Sequence, residues 1–488
     1  MINTFADNIN FEKIKNMKEY KIYAAGEFHT TNSILPVYNP YNNEQIARTY
    51  LADSSLLEKA IVKAQAVETE LRNMPSFVKY EILMQIAEAM KSQKEELASI
   101  LAQEAAKPMK YALAEIARAI TTFVAAAEES KRLPMEYMRL DWASTGKGKE
   151  GLVKYFPVGL IAGISPFNFP MNLAVHKIAP AIAAGCPIIL KPASSTPLST
   201  LELARIIDET TLPKGTVSIL PMDRKTGNLL VTDERFKLLT FTGSPVVGWK
   251  MKAGAGKKKV VLELGGNAGV IVTRSADMKH AVNRCIVGAF AYAGQVCIHT
   301  QRIYVEKNIF NEFKEKFIAE AKKLKAGHPL ETATDITSMI DEENAIRVED
   351  WVNNAIKSGA EVLCGGKRNG SFYEPTVLTK TKKEMDVSCK EIFGPVVILE
   401  QYDKFEEAVD LVNDSIYGLQ AGVFTNQIDE LNYAFANLHV GGVIHNDVSL
   451  FRVDHMPYGG IKDSGLGREG VKYAMLDMME PKILVKAF

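Results

Sequence analysis

The sequence predicts an α/β protein of two domains with a cleft between them, plus a small β hairpin set apart from both. Three observations lead there. Short apolar strands alternate with helical segments from 159 to 265 and again from 270 to about 460, which is the βαβ rhythm of a doubly wound parallel sheet. The chain has 488 residues, more than one ordinary core holds. Between the N-terminal helices and the first block, the polar stretch Asp141-Trp142-Ala143-Ser144-Thr145-Gly146-Lys147-Gly148-Lys149 lies between two segments of strand-like alternation and reads as a protruding hairpin.

In chain order, residues 1–50 form an entry segment with short strands, Tyr20-Lys21-Ile22-Tyr23 and Pro36-Val37-Tyr38, around a turn at Gly26. From 54 to 129 the pattern is helical, with Leu57, Ile61 and Ala64 and then Ile82, Ile86 and Met90 at helical spacing and Pro75 and Pro108 as breaks. The hairpin follows, and an exposed hairpin edge favours pairing with another chain. In the first alternating block Leu160-Ile161-Ala162-Gly163-Ile164, Pro187-Ile188-Ile189-Leu190, Val217-Ser218-Ile219-Leu220, Leu238-Leu239-Thr240-Phe241 and Val260-Val261-Leu262-Glu263-Leu264 are strands. Helices fall over 172–184, 198–209 and 246–253. The second block holds strands at Ile271-Val272, Ile303-Tyr304-Val305, Val396-Val397-Ile398-Leu399 and Gly422-Val423-Phe424, with helices over 277–292, 309–324 and 342–358. The apolar end Ile483-Leu484-Val485-Lys486-Ala487-Phe488 is a strand that pairs either with the hairpin or with another subunit.

Composition narrows the class. Hydrophobic residues make up 47%, charged residues 24%, and the formal net charge is zero, a globular profile that gives no reason to expect nucleic acid or an acidic membrane as partner. Five cysteines, Cys186, Cys285, Cys297, Cys364 and Cys389, are scattered without a C-x-x-C pair, so neither a metal site nor a disulfide framework is expected and a reducing cytoplasm fits. Met1-Ile2-Asn3-Thr4-Phe5-Ala6-Asp7 lacks the apolar core of a signal peptide, and the most apolar run, 174–190, is interrupted by His176, Lys177, Pro180 and Pro187.

Chemistry-bearing residues collect at strand ends, where doubly wound sheets bind ligands. Ser165-Pro166-Phe167-Asn168-Phe169-Pro170 is a rigid loop carrying Asn168, whose amide can donate to a developing oxyanion or simply bond its own turn. Lys191-Pro192-Ala193-Ser194-Ser195 places a lysine at a strand end before a helix, equally suited to a ribose or phosphate and to an ordinary surface position. Thr242-Gly243-Ser244 opens a helix with bare N–H groups that suit a pyrophosphate, although no G-x-G-x-x-G fingerprint is present. Glu263, at an apolar strand end before Leu264-Gly265-Gly266-Asn267, is either a general base raised by desolvation or a structural acid bonded to loop N–H groups. Glu391-Ile392-Phe393-Gly394-Pro395 offers a carboxylate to a vicinal diol or is an exposed loop acid. Cys297, in Gly294-Gln295-Val296-Cys297-Ile298-His299, follows a glycine at the end of an apolar helical run; alone it reads as a small buried hydrophobe.

Pro-Phe-Asn-Phe-Pro, Lys-Pro-Ala-Ser, Phe-Thr-Gly-Ser, Leu-Glu-Leu-Gly-Gly-Asn, Gly-Gln-x-Cys and Glu-Ile-Phe-Gly-Pro occur in that order. From about residue 20 to the end the chain resembles the NAD(P)-dependent aldehyde dehydrogenase superfamily. That resemblance implies an aldehyde dehydrogenase-like fold: a cofactor-binding domain over 1–133 and 156–262, an oligomerisation hairpin over 134–155, a catalytic domain over 263–460 and a C-terminal segment, 461–488, returning to the oligomerisation sheet. It implies that Cys297 attacks the aldehyde carbon, that Asn168 and the Cys297 N–H hold the oxyanion, and that Glu263 activates the water that hydrolyses the resulting thioester. It implies NAD and/or NADP as cofactor, with Lys191 on the adenosine ribose, Gly243 and Ser244 on the pyrophosphate, Glu391 on the nicotinamide ribose, and Ser165, Pro166, Phe167, Leu264, Gly265 and Phe393 lining the site. Many NAD-preferring relatives carry a glutamate where Ser194 stands, so Ser194 removes a repulsion toward a 2′-phosphate and points to dual use or a lean to NADP. A homodimer or homotetramer is implied.

The stretch Asn446-Asp447-Val448-Ser449-Leu450-Phe451-Arg452-Val453-Asp454-His455-Met456-Pro457-Tyr458-Gly459-Gly460 resembles the subgroup of lactaldehyde, sulfolactaldehyde, phosphonoacetaldehyde and glyceraldehyde-type enzymes. Arg452, His455 and His299 are the candidate substrate residues, suiting a small hydroxylated or anionic aldehyde of the lactaldehyde type; succinate semialdehyde and glyceraldehyde or its 3-phosphate are alternatives. Arg452 could instead pair with Asp454 or Asp447, and His455 could bond a carbonyl. Three other classes compete. A coenzyme A-acylating enzyme would have no use for Glu263, a catalytically silent binding protein no use for the whole set, and a Cys–His hydrolase using His299 no use for the nucleotide-type strand ends.

Overall fold

The computed structural model describes residues 18–488. The N-terminal heptapeptide and the first part of the entry segment read above lie outside these residues. The main parts of the described residues are two α/β units, a small antiparallel sheet, and a three-stranded sheet of Lys18–Glu19, Glu44–Tyr50 and Ile34–Asn39. The first unit is built on an eight-stranded sheet whose spatial order is Gly465–Leu466, Lys259–Glu263, Leu238–Thr242, Ile161–Ile164, Ile188–Lys191, Val217–Ile219, Ile22–Ala24 and Glu27–His29. The five central strands are parallel, and the added strands at both ends run antiparallel. From Ile161–Ile164 the chain moves outward through Ile188–Lys191 to Val217–Ile219, then returns to the other flank at Leu238–Thr242. Ile161–Ile164 therefore borders the topological switch point, and the loops leaving it and Leu238–Thr242 open into one crevice.

The expected helical stretch resolves into Ser54–Asn73, Ser76–Ser92, Lys94–Glu104 and Met109–Ser130. Asp53 caps the first by accepting from the Leu56 N–H at 2.8 Å. Pro75 and Pro108 stand at the N-cap positions of the second and fourth, so the two breaks read in the sequence are starts. The last of these helices packs on Pro170–Ala184, which is buried along its whole length.

The second unit carries a seven-stranded sheet in the order Glu361–Cys364, Thr376–Thr379, Val396–Tyr402, Thr300–Glu306, Ala268–Val272, Gln420–Phe424 and Gly442–His445. It is parallel except at the Glu361–Cys364 edge. Helices Phe405–Asn413 and Ile428–Asn437 and the segment 361–379 are organised elements that the periodicity did not separate from loop, the last because Gly365, Gly366 and Gly370 break its pattern. Helix Arg224–Thr232 was missed in the first unit, where Gly227 lies inside it and Asp223 supplies the cap.

The hairpin is formed by Met135–Arg139 and Lys149–Pro157, and Met479–Ala487 pairs with the second of these over its full length. The C-terminal strand thus joins the hairpin of its own chain. Before reaching it, the C-terminal segment sets Gly465–Leu466 against Lys259–Glu263, so this segment serves the first unit as well as the small sheet.

Candidate active site

Cys297 is presented by an unusual turn. Helix Met278–Phe290 ends, and Tyr292, Ala293 and Gly294 follow with φ of 50°, 51° and 68°. Only glycine adopts this region without penalty, so two strained non-glycine residues precede the thiol, a pattern that concentrates at functional sites. A side chain at Gly294 would also overlap the Gly394 carbonyl. The chain continues through Val296-Cys297-Ile298 into strand Thr300–Glu306. The half-buried Cys297 lies on a cavity of ≈ 170 Å³ whose walls include Phe169, Leu173, Tyr292, Val296, Ile298 and Leu450.

The loop after Ile161–Ile164 reaches this turn. The Asn168 amide donates to the Gln295 carbonyl at 2.9 Å, so it is tied two residues ahead of Cys297 rather than folded onto its own turn. Lys107 donates to the Asn168 carbonyl and to Glu115 and lies 3.9 Å and 4.3 Å from the ring centres of Phe169 and Tyr292. Glu115 in turn accepts from the N–H groups of Met171 and Asn172 at 3.0 and 3.1 Å, capping the helix that follows. A wholly buried ion pair therefore fixes the loop that carries Asn168.

Glu263 ends strand Lys259–Glu263 and is 3% exposed. Among the described residues no protein group bonds either carboxylate oxygen, which sets aside the alternative of a structural acid held by loop N–H groups. Burial raises its pKa well above the ordinary carboxylate value, and the neighbouring charge of Glu469 raises it further. Burial pushes Glu469 the same way, but Lys177 and Arg452 outweigh it and hold Glu469 low. The two acids are thus driven apart, one toward the neutral form and one ionised, the arrangement in which acid and base roles separate. The Cys297 thiol is pushed up by burial to about 11, with Glu391 and Glu263 adding to the rise and the Tyr458 hydroxyl and Arg452 opposing it.

The candidate cofactor residues stand at or just after strand ends of the first sheet and on the loop before strand Val396–Tyr402. Gly243 and Ser244 stand at the start of helix Pro245–Gly254, where the Ser244 side chain makes no capping bond and leaves the helix N–H groups for an anion. Glu391 accepts from the Gly266 N–H at 3.0 Å; burial raises its pKa to about 7 against the pull of that N–H and of Arg347. A Cβ at Gly265 would overlap the Glu391 carboxylate, so only glycine lets the acid sit there. Phe167 and Phe393 meet edge to face at 5.9 Å, and Leu264 is buried beside Gly248. Ser165 is buried with an unbonded hydroxyl, next to Pro166 on the same loop. Lys191 is half-buried and, among the described residues, its ammonium bonds only the Pro192 carbonyl, at 3.4 Å; Ser194 is exposed. A free helix end, a loop carboxylate and a strand-end lysine are groups that suit a dinucleotide.

A family model described as the aldehyde dehydrogenase family matches residues 28–484. The chain belongs to that family. The 3-sulfolactaldehyde dehydrogenase of Priestia aryabhattai is 42% identical over 474 residues, covering 97% of this chain and 99% of that protein. Among solved structures, aldehyde dehydrogenase 21 from Physcomitrella patens, in complex with the reaction product succinate, superimposes with a TM-score of 0.95 at 46% identity, covering 97% of this chain and 99% of that one. Glyceraldehyde-3-phosphate dehydrogenase GapN from Methanocaldococcus jannaschii, complexed with NADP, does so with a TM-score of 0.89 at 40% identity over 93% of this chain and 99% of that one. The enzyme is accordingly an oxidoreductase that oxidises aldehydes with NAD(P)+.

Of the three candidate substrate residues, the structure brings only Arg452 to the cavity. Its partner is neither Asp454 nor Asp447 but Glu469, at 2.9 Å, and its guanidinium lies 3.7 Å from the centre of the Tyr458 ring. His299 points away. Its N–H bonds the Val296 carbonyl in a tight turn, and its ring bonds the Ala289 carbonyl at 2.8 Å, so two residues beyond Cys297 the side chain is in the core. Burial lowers its pKa to about 4, which keeps it neutral. His455 is exposed while Asp454 before it is buried and bonded to Arg118 and His176; the two lie on a turn in which the Met456 N–H donates to the Val453 carbonyl at 3.4 Å. Sequence reasoning missed Arg118, Glu469, Tyr458 and Lys107. Arg118 lines the cavity from helix Met109–Ser130 and is clamped by Asp454 at 2.7 and 3.2 Å. The one available signal was charge inside an apolar helical run, Glu115 and Arg118 among alanines and isoleucines.

Proposed function

We propose that the enzyme converts a small anionic or hydroxylated aldehyde to its acid through a covalent thioester on Cys297. The observation that carries the substrate class is the sharing of one small cavity by Cys297, Arg118 and Arg452. Such a cavity admits a short chain, and two guanidiniums facing it suit a carboxylate, sulfonate or phosphate at the end remote from the aldehyde. The names of the relatives agree with this class, since one acts on 3-sulfolactaldehyde and another holds succinate.

In this reading the Cys297 sulfur adds to the carbonyl carbon, and the Asn168 amide and Cys297 N–H receive the oxygen. Bound NAD(P)+ supplies the hydride acceptor. Glu263 then takes a proton from water as that water attacks the thioester, and the acid leaves while the thiol is regenerated. A buried base without a protein donor supports hydrolysis over transfer to coenzyme A. The expected result for Arg118→Ala is a KM for succinate semialdehyde or a sulfonated aldehyde raised roughly 10-fold to 100-fold, with the neutral propionaldehyde changed less than about 2-fold. Equal KM shifts for charged and neutral aldehydes would sink the anion reading.

The exposed Ser194 near Lys191 supports use of NADP as well as NAD. Ser194→Glu is expected to weaken NADP binding by about 10-fold or more and NAD binding little, by fluorescence titration; parallel losses would count against this role.

The small sheet supports self-association. Its edge strand Met479–Ala487 exposes Ile483, Leu484 and Val485, and Trp142 at the hairpin tip is 96% exposed. A second copy is the natural cover for such a surface. Sedimentation equilibrium is expected to show a dimer or tetramer, and a monomer at micromolar concentration would refute it.

A further inference from the structure

The half-buried Cys297 lies on a cavity walled by apolar and charged side chains, and no histidine or lysine lies within bonding distance of its sulfur among the described residues. The polar contact the sulfur does make is with the Tyr458 hydroxyl, at 3.0 Å. We propose that Tyr458, polarised by Arg452, is a catalytic residue that activates Cys297 by donating a hydrogen bond to its thiolate.

The geometry argues for a held donor rather than a chance contact. Tyr458 is buried, and its backbone pairs with that of Glu469 in both directions, Tyr458 N–H to Glu469 carbonyl at 3.0 Å and Glu469 N–H to Tyr458 carbonyl at 2.6 Å. The Glu469 carboxylate holds Arg452 at 2.9 Å, and Arg452 lies over the Tyr458 ring face, its central carbon 3.7 Å from the ring centre. One short loop and one acid therefore fix ring, cation and hydroxyl together. A cation on the face of a phenol withdraws electron density from the ring, which makes its O–H a stronger donor.

The direction of the bond follows from the chemistry. In the neutral pair either group can donate. When the thiol proton leaves to water, the sulfur has no hydrogen and becomes an acceptor only, so Tyr458 must donate. The sulfur lone pair then forms the bond to the aldehyde carbon, and the carbonyl π pair moves to the oxygen held at Asn168. Burial keeps the Tyr458 phenol neutral, well above its ordinary pKa, and so able to donate. The other charged groups that act on the sulfur are Glu391 and Glu263, which oppose ionisation, and Arg452, which favours it; Lys107, Glu115 and Arg118 line the same cavity.

This inference rests on the reading of Cys297 as nucleophile, and the test separates the two. Alkylation by iodoacetamide is followed by peptide mass in the cofactor-free full-length enzyme across pH, with the half-buried Cys364 and Cys389 as internal references. In Tyr458→Phe the rate at Cys297 at fixed pH is expected to fall roughly 10-fold to 100-fold, with the profile displaced to higher pH, while Cys364 and Cys389 react as before. Unchanged reactivity of these two reports an intact fold. A second variant with 3-fluorotyrosine at position 458, a stronger donor of nearly the same size, is expected to displace the profile to lower pH. An unchanged or faster Cys297 profile in Tyr458→Phe, or no displacement with fluorotyrosine, overturns the proposal. If Cys297→Ser retained turnover, the nucleophile assignment would fall while the alkylation result still stood on its own.

Discussion

Cys297→Ser is expected to lower kcat by about 10³- to 10⁴-fold or more while leaving NADP affinity within about 2-fold. The substitution replaces one atom in a site whose shape is set elsewhere. The strained turn at Tyr292, Ala293 and Gly294 and the bond from Asn168 to the Gln295 carbonyl do not involve the sulfur, so the fold and the cofactor side should persist. What is lost is nucleophilicity. A serine hydroxyl ionises far above the thiol's raised value of about 11, and among the described residues the group bonded at this position is the Tyr458 hydroxyl, which is no base. Stopped-flow measurement of NAD(P)H formation, paired with a cofactor titration, checks both parts. Residual turnover within about 10-fold of the parent enzyme would remove Cys297 from the mechanism.

The second large effect is expected at Glu263. Glu263→Gln keeps the size of the side chain and deletes the base, so acylation should proceed and hydrolysis should stall. The predicted record is a burst of about one NAD(P)H per active site, then a steady rate about 10²- to 10⁴-fold below normal, with the acylated Cys297 peptide found by mass spectrometry after quenching. The pH dependence follows from the sign of the shift. Burial and the charge on Glu469 raise the Glu263 pKa, so below that value the carboxyl is protonated and cannot take a proton from water. Hydrolysis should therefore accelerate as pH rises through the raised pKa, and Glu263→Gln should remove that limb of the profile. A variant that shows no burst, with both phases slowed alike, would mean that Glu263 acts before the thioester forms.

Much of this site could be read before any coordinates. Asn168, Lys191, Gly243 and Glu263 each stand where an apolar strand stops, because a parallel sheet places its functional loops at one end. Cys297 and Glu391 were legible for a different reason: each precedes a strand within a motif containing glycine. The rest depended on three-dimensional packing. Arg118 sits in the middle of a helix and reads as an ordinary charged position, and only the docking of that helix against the cavity gives it a role. Glu469 and Arg452 are separated by turns and two short strands, Ile461–Lys462 and Gly465–Leu466, so their pairing beside Lys177 follows from the return of the C-terminal segment to the first sheet. His299 misled because spacing alone carries no information about a tight turn, and the bond from its N–H to the Val296 carbonyl is what rotates it away.

The small sheet has a consequence for how the molecule is made. Met479–Ala487 pairs with Lys149–Pro157, and Phe488 donates its N–H to the Gly148 carbonyl at 2.8 Å. A ribosome exit tunnel shields the newest residues of a chain, so the hairpin emerges with its partner strand still unmade. Met479–Ala487 therefore joins the hairpin only after the strands of both α/β units have been made. Glu469, Arg452 and Tyr458 belong to the same late portion of the chain. Completion of the small sheet and of the charges around the thiol thereby waits until the strands of both α/β units have been synthesised, and a shorter nascent chain presents neither.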